Sequence, residues 1–97
     1  MTKEEILKLH ELSEDEQYKW LIDNKVLVYV EPFQKLWESL ADCAFRLRDE
    51  IGARFYTAMR MLYDTITNDE NPDGFMIWWM FSEPIHWIQA ALLARAE

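Results

Sequence analysis

Cysteine, glycine and positive charge are all scarce in this 97-residue chain, and each shortage removes a class of answer. The single cysteine, Cys43, excludes an internal disulfide and suits a reducing compartment. Two glycines, Gly52 and Gly74, do not make a phosphate-cradling loop. His10, His86 and Cys43 lack the spacing of metal ligands, so neither metal nor cofactor is expected. Ten basic residues against eighteen acidic ones leave a net charge of −8, the reverse of the cationic footprint that direct nucleic-acid binding requires. Long hydrophobic runs are missing too. The most apolar stretch is broken by Ser82, Glu83, Pro84, His86 and Gln89, and neither half approaches the ~20 residues of a membrane span. No basic-then-apolar leader opens the chain, so the expected location is cytoplasmic.

What is present is apolar and aromatic. Hydrophobic residues make up 51% of the chain and five are Trp, enough for one domain over residues 1–97 to build a core without staples. The acidity is polarised: residues 1–24 hold three Lys and seven acids, residues 25–66 hold six of each, and residues 67–97 hold one Arg and five acids. Acidic ends around a neutral middle serve solubility, or an acidic surface aimed at a basic partner.

The chain is organised around Gly74–Glu97, where Trp78, Trp79 and Trp87 stand among Phe75, Ile77, Phe81, Ile85, Ile88, Leu92 and Leu93. Asn71-Pro72 reads as a helix start and Ser82-Glu83-Pro84 as a break, with Ser82 capping a last helix that is buried on most sides. The rival reading makes 75–81 a central strand paired with 26–30, the only β-branched run. Upstream, Thr2 with Glu5 and Ser13 with Glu16 are capping-box signatures for two short helices, the second ending near Asn24. Phe33 to Ile66 reads as the long central, amphipathic helical element. Its stripe is Leu36, Leu40, Ala44, Leu47, Ile51, Phe55, Met59, Leu62 and Ile66, and Gly52 is its weak point, marking a bend or a boundary between two helices. These patterns predict a mainly α fold: a compact bundle of four to five helices with the C-terminal helix central and room for one two-stranded ribbon. The alternative is an α+β helix–sheet–helix sandwich.

Asp69 to Gly74 matches the opening of an EF-hand loop, but the twelfth position is Met80 rather than Glu, so calcium is not expected. Cys43 has no basic activator near it in sequence, and no catalytic residue is assigned. The candidate ligand-binding set is Arg46, Arg48, Arg54, Trp78, Trp79, His86 and Trp87: indoles to stack a planar group, arginines to neutralise a phosphate. Arg48, near the apolar side of its helix, requires an acidic partner, an anionic ligand or a neighbouring subunit.

Two blocks, Leu40 to Glu50 (LADCAFRLRDE) and Pro84 to Ala94 (PIHWIQAALLA), resemble blocks of small uncharacterised bacteriophage and prophage proteins. The resemblance implies a source and no activity. It also raises one class of function: a non-enzymatic phage accessory protein, cytoplasmic in the bacterial host, that binds and blocks a host protein, as a counter-defence inhibitor would. The alternative is a sponge that sequesters a nucleotide-like signalling molecule in a homo-oligomer, which the surplus of aromatic residues would favour.

Overall fold

Gly52 decides the architecture. It adopts φ 66° and ψ −133°, a conformation open to glycine and strained for any residue with a Cβ. The long element expected over Phe33 to Ile66 is therefore two helices, α3 (Leu40–Ile51) and α4 (Arg54–Thr67), and of the two readings of Gly52, bend or boundary, it is the boundary that holds. The computed structural model describes residues 1–30, 36–67 and 74–96. Among them are six α-helices: α1 (Lys3–Leu7), α2 (Glu14–Asp23), α3, α4, α5 (Gly74–Met80) and α6 (Pro84–Arg95). A single 3₁₀ turn, Leu9–Glu11, joins α1 to α2.

Local chemistry sets most boundaries. Thr2 caps α1 with a full capping box, the Glu5 N–H donating to Thr2 Oγ1 at 3.2 Å and Glu5 Oε1 accepting from the Thr2 N–H at 3.3 Å. Ser13 caps α2, accepting from the Glu16 N–H at 3.3 Å. Asn24 does close α2, but the left-handed residue is its neighbour Lys25, at φ 58°. Ser39 caps α3, so that helix starts later than its apolar stripe suggests.

The segment before Ser39 is extended. β1 (Tyr29–Val30) pairs antiparallel with β2 (Leu36–Trp37), in register Tyr29 to Trp37 and Val30 to Leu36. The expected ribbon exists, but its second strand is the start of the supposed long helix. Residues 75–81, the rival strand, are helical through Met80. The proposed helix start at Asn71-Pro72 and the EF-hand-like residues Asp69 to Asp73 lie outside the described residues.

One hydrophobic cluster extends from Ile6 to Ala94, and α6 is its centre. α6 packs on α3 along one side and α4 along another, while α1 and the 3₁₀ turn cover a third. This arrangement explains why a helix with so few polar positions is stable: Ile85, Ile88, Ala90, Ala91, Leu92 and Ala94 are all buried. Gln89, fully buried, donates from Nε2 to the Ile6 carbonyl at 2.7 Å and stands 3.0 Å from His10 Nδ1, tying the N-terminal segment to α6. Among the described residues no helix is long and apolar enough to cross a membrane.

Candidate functional site

The aromatic residues assemble where α4, α5 and α6 meet. On α5, Phe75, Trp78 and Trp79 share the inner face. Phe75 is buried against Tyr63, at 5.5 Å between ring centroids, and Trp78 lies tilted against the Tyr63 ring at 5.4 Å. Trp79 meets Phe55 edge-on at 5.6 Å, and Phe55 meets Trp87 of α6 at the same distance. Ser82 is not the cap of α6. Its hydroxyl donates to the Trp79 carbonyl at 2.7 Å and accepts from the Trp87 indole N–H at 2.9 Å, stitching the end of α5 to α6. Glu83 takes the cap position and Pro84 opens the helix. The three indoles thus share an interior with the inner sides of α3 and α4, as their apolarity requires.

His86 joins this cluster from above. Its Nδ1 accepts from the Glu83 N–H at 3.0 Å, and its ring lies 5.4 Å from Trp78 and 5.6 Å from His10. Burial, with the nearby His10, holds its pKa below the ordinary histidine value, although the Glu83 carboxylate opposes this. A neutral ring that accepts a backbone hydrogen bond is positioned to close the first turn of α6.

The three arginines of the candidate set do not converge on the indoles. Arg46 is spent on the ribbon. It donates from Nη2 to the Val26 carbonyl at 2.7 Å and to Glu38 Oε1 at 2.5 Å, and from Nε to Glu38 Oε2 at 3.3 Å. Glu38 is only 7% exposed and also accepts from the Val28 N–H at 3.0 Å. Burial alone would raise its pKa, but the hydrogen bonds from Arg46 and Val28 outweigh that and hold it below the usual carboxylate value. Arg54 faces a groove between α4, α1 and the end of α6, together with Lys3. Only Arg48 reaches the aromatic cluster, its guanidinium carbon 5.0 Å from the Phe45 ring and 5.6 Å from that of Trp87, with Asp49 as a 3.7 Å ion-pair partner.

Beside Arg48 is a hollow of about 170 Å³ lined by Ala41, Ala44, Phe45, Ser82, Pro84 and Trp87. Pockets for small molecules measure roughly 300–1,000 Å³, so it is small for a nucleotide, and Arg48 already covers the indole face that a base would stack upon. Cys43 is buried in α3. Burial, followed by the charge of Glu38, pushes its thiol up to about 12, so it stays protonated at neutral pH and is no thiolate nucleophile. Among the described residues no cluster of His, Cys, Asp and Glu could hold a metal ion.

The larger feature is the outer face of α5, which residue-by-residue reading missed. Met76 and Ile77 are each 56% exposed, Met80 75% and Phe81 78%. Tyr56 of α4, exposed as well, lies against Phe75 and Trp79 at the edge of this stripe. The signal in the sequence is that GFMIWWMF is apolar on every side, while a seven-residue helix on a small core has only one side to bury. No family model, no curated protein and no solved structure matches this chain.

Proposed function

We propose that the protein is a non-enzymatic binding module that docks on a partner protein through the outer face of α5. The observation that carries this reading is the run of Met76, Ile77, Met80 and Phe81, each more than half exposed on adjacent turns. Isolated exposed apolar side chains are ordinary, but a contiguous set of four large ones is a surface that water does not favour and that association would cover. Methionine-rich faces adapt to a partner's shape, and a short helix rimmed by aromatic rings suits an apolar groove. The resemblance of residues 40–50 and 84–94 to phage and prophage blocks makes a host protein, blocked by this contact, the partner class we favour. A counter-defence role is one instance of it.

The test compares wild-type protein with the double variant Ile77→Ser, Met80→Ser as bait in host lysate, with the eluates resolved by mass spectrometry. A partner captured by wild type and lost with the variant, at unchanged helicity, supports the reading. Equal capture by both baits refutes the α5 surface. Size-exclusion chromatography with light scattering distinguishes the competing occupant, a second copy: a wild-type dimer that the double variant converts to monomer assigns the face to self-association.

The nucleotide-sponge reading rests on Arg48 lying over Phe45 and Trp87. It requires the small hollow there to be enlarged by Arg48 swinging away or by a neighbouring copy. A panel of cyclic and ADP-ribose-type nucleotides that leaves the melting temperature unchanged rejects it.

A further inference from the structure

A second surface feature lies across α4 from α5. At 3.6 residues per turn, Arg54, Ala58, Met61 and Thr65 form one stripe of α4, whereas Tyr56, Arg60 and Tyr63 point almost the opposite way, toward α5. The first stripe walls a groove of about 350 Å³, closed by Lys3 and Leu7 of α1 and by Leu93 near the end of α6. That size falls at the lower end of the roughly 300–1,000 Å³ range of small-molecule sites, and is about twice that of the hollow beside Trp87.

Its chemistry is unusual for this molecule. The floor is apolar, built from Leu7, Ala58, Met61 and Leu93, and two cations contributed by different helices stand over it in a chain of net charge −8. The arginines elsewhere in the described residues have carboxylate partners: Arg46 with Glu38, Arg48 with Asp49, Arg60 with Asp64 and Arg95 with Glu50. Arg54 is the exception, and Lys3 likewise has no ion pair among the described residues. An apolar trough bordered by two positive side chains that form no ion pair among the described residues is complementary to a molecule carrying an apolar body and one negative head.

We propose that this groove binds a small amphipathic carboxylate, of the fatty-acid type. Its apolar chain lies along Leu7, Ala58, Met61 and Leu93, and its carboxylate meets Lys3 and Arg54, the latter able to bind both oxygens at once. The site is independent of the α5 surface, and either could fail without the other.

The chain's methionines report on both surfaces at once. Met61 lines the groove, Met76 and Met80 stand on the outer face of α5, and Met59 is buried as a monitor of the fold. The experiment titrates decanoate, below its micelle concentration, into protein labelled with ¹³C at the methionine methyls. The expected result is a saturable shift of the Met61 signal with Met76 and Met80 unmoved, no such shift with decyltrimethylammonium, and affinity reduced by about tenfold or more in the double variant Lys3→Gln, Arg54→Gln. Both substitutions replace first residues of helices with a good helix former, so the fold is retained and Met59 verifies it. A Met61 signal unmoved at about 1 mM decanoate, the weak limit of useful affinity, overturns the proposal. So do equal shifts from the cationic amphiphile, equal movement of Met76 and Met80, or unaltered binding by the double variant.

Discussion

Replacing Arg46 by Met tests whether this arginine is structural. The side chain holds the ribbon to α3 through the Val26 carbonyl and Glu38, and its removal leaves a carboxylate that is only 7% exposed with the Val28 N–H and the Cys43 thiol as its remaining donors. Breaking a fully buried ion pair costs about 3–5 kcal/mol, and exposed pairs less than ~1. Here Glu38 is buried but the Arg46 side chain is 31% exposed, so water reaches one end of the pair and the cost falls between those limits, at about 2–3 kcal/mol. For a domain of this size that is a drop of roughly 8–24 °C in Tm. Urea unfolding followed by tryptophan fluorescence measures it, in a cycle with Glu38→Gln and the double variant. Glu38→Gln should cost about 1–2 kcal/mol, and the double variant clearly less than the two singles combined, because each single orphans the other's partner. A loss below about 0.5 kcal/mol in Arg46→Met would refute the structural assignment and return Arg46 to the pool of ligand-binding candidates.

Acidification supplies two further checks. The folded-state pKa of Glu38 is depressed, so its contribution is complete above the unfolded value near 4.5 and disappears as pH falls through the folded value; Glu38→Gln should flatten the acid limb of a Tm–pH curve below about pH 4.5. His86 is also depressed, so the unfolded chain takes up a proton first and stability should begin to decline as pH drops below about 6.5, a decline that His86→Gln removes. Gly52→Ala should destabilise by about 1–3 kcal/mol although nothing lies within 4 Å of the added Cβ, because the cost is in the backbone angle; a neutral effect by thermal melting would contradict that reading. Phe55→Ala removes the ring that Trp79 and Trp87 both abut and should cost about 3–5 kcal/mol, with red-shifted tryptophan emission in the folded state.

Sequence patterns reached the starts of α1 and α2 and the burial of α6, because the caps depend on neighbours in the chain and the burial on composition. Thr2 with Glu5, and Ser13 with Glu16, satisfy backbone groups three residues away, so their effect is visible locally. Gly52 was legible as a bend or a boundary, but not as which of the two, because Leu47, Ile51, Phe55 and Met59 keep step across it: both helices bury their stripe against α6, and the common target preserves the period through the turn. Leu36 and Trp37 continued that same period and so read as helical. What makes them extended is the pairing with β1 and the Glu38–Arg46 clasp beside it, contacts between residues far apart in sequence. The candidate site divided the same way. That the indoles cluster follows from their apolarity, but which azimuth of each helix meets which neighbour does not, so Arg46 and Arg54, on adjacent helices, ended at separate surfaces. Phe81 illustrates the limit: its apolarity suggested burial, whereas it is 78% exposed.

The central place of α6 bears on how the chain comes to fold during synthesis. Until Pro84 to Arg95 leaves the ribosome, the apolar sides of α1, α3 and α4 have nothing to close upon, since α6 is the surface each of them packs against. A nascent chain halted before that point carries Leu47, Met59 and Leu62 uncovered, so chaperone capture and proteolysis compete with completion. Ribosome-arrested chains that lack α6 and chains from which Pro84 to Arg95 has fully emerged should therefore differ sharply in protease resistance, with folding a single event rather than a growing series of stable pieces.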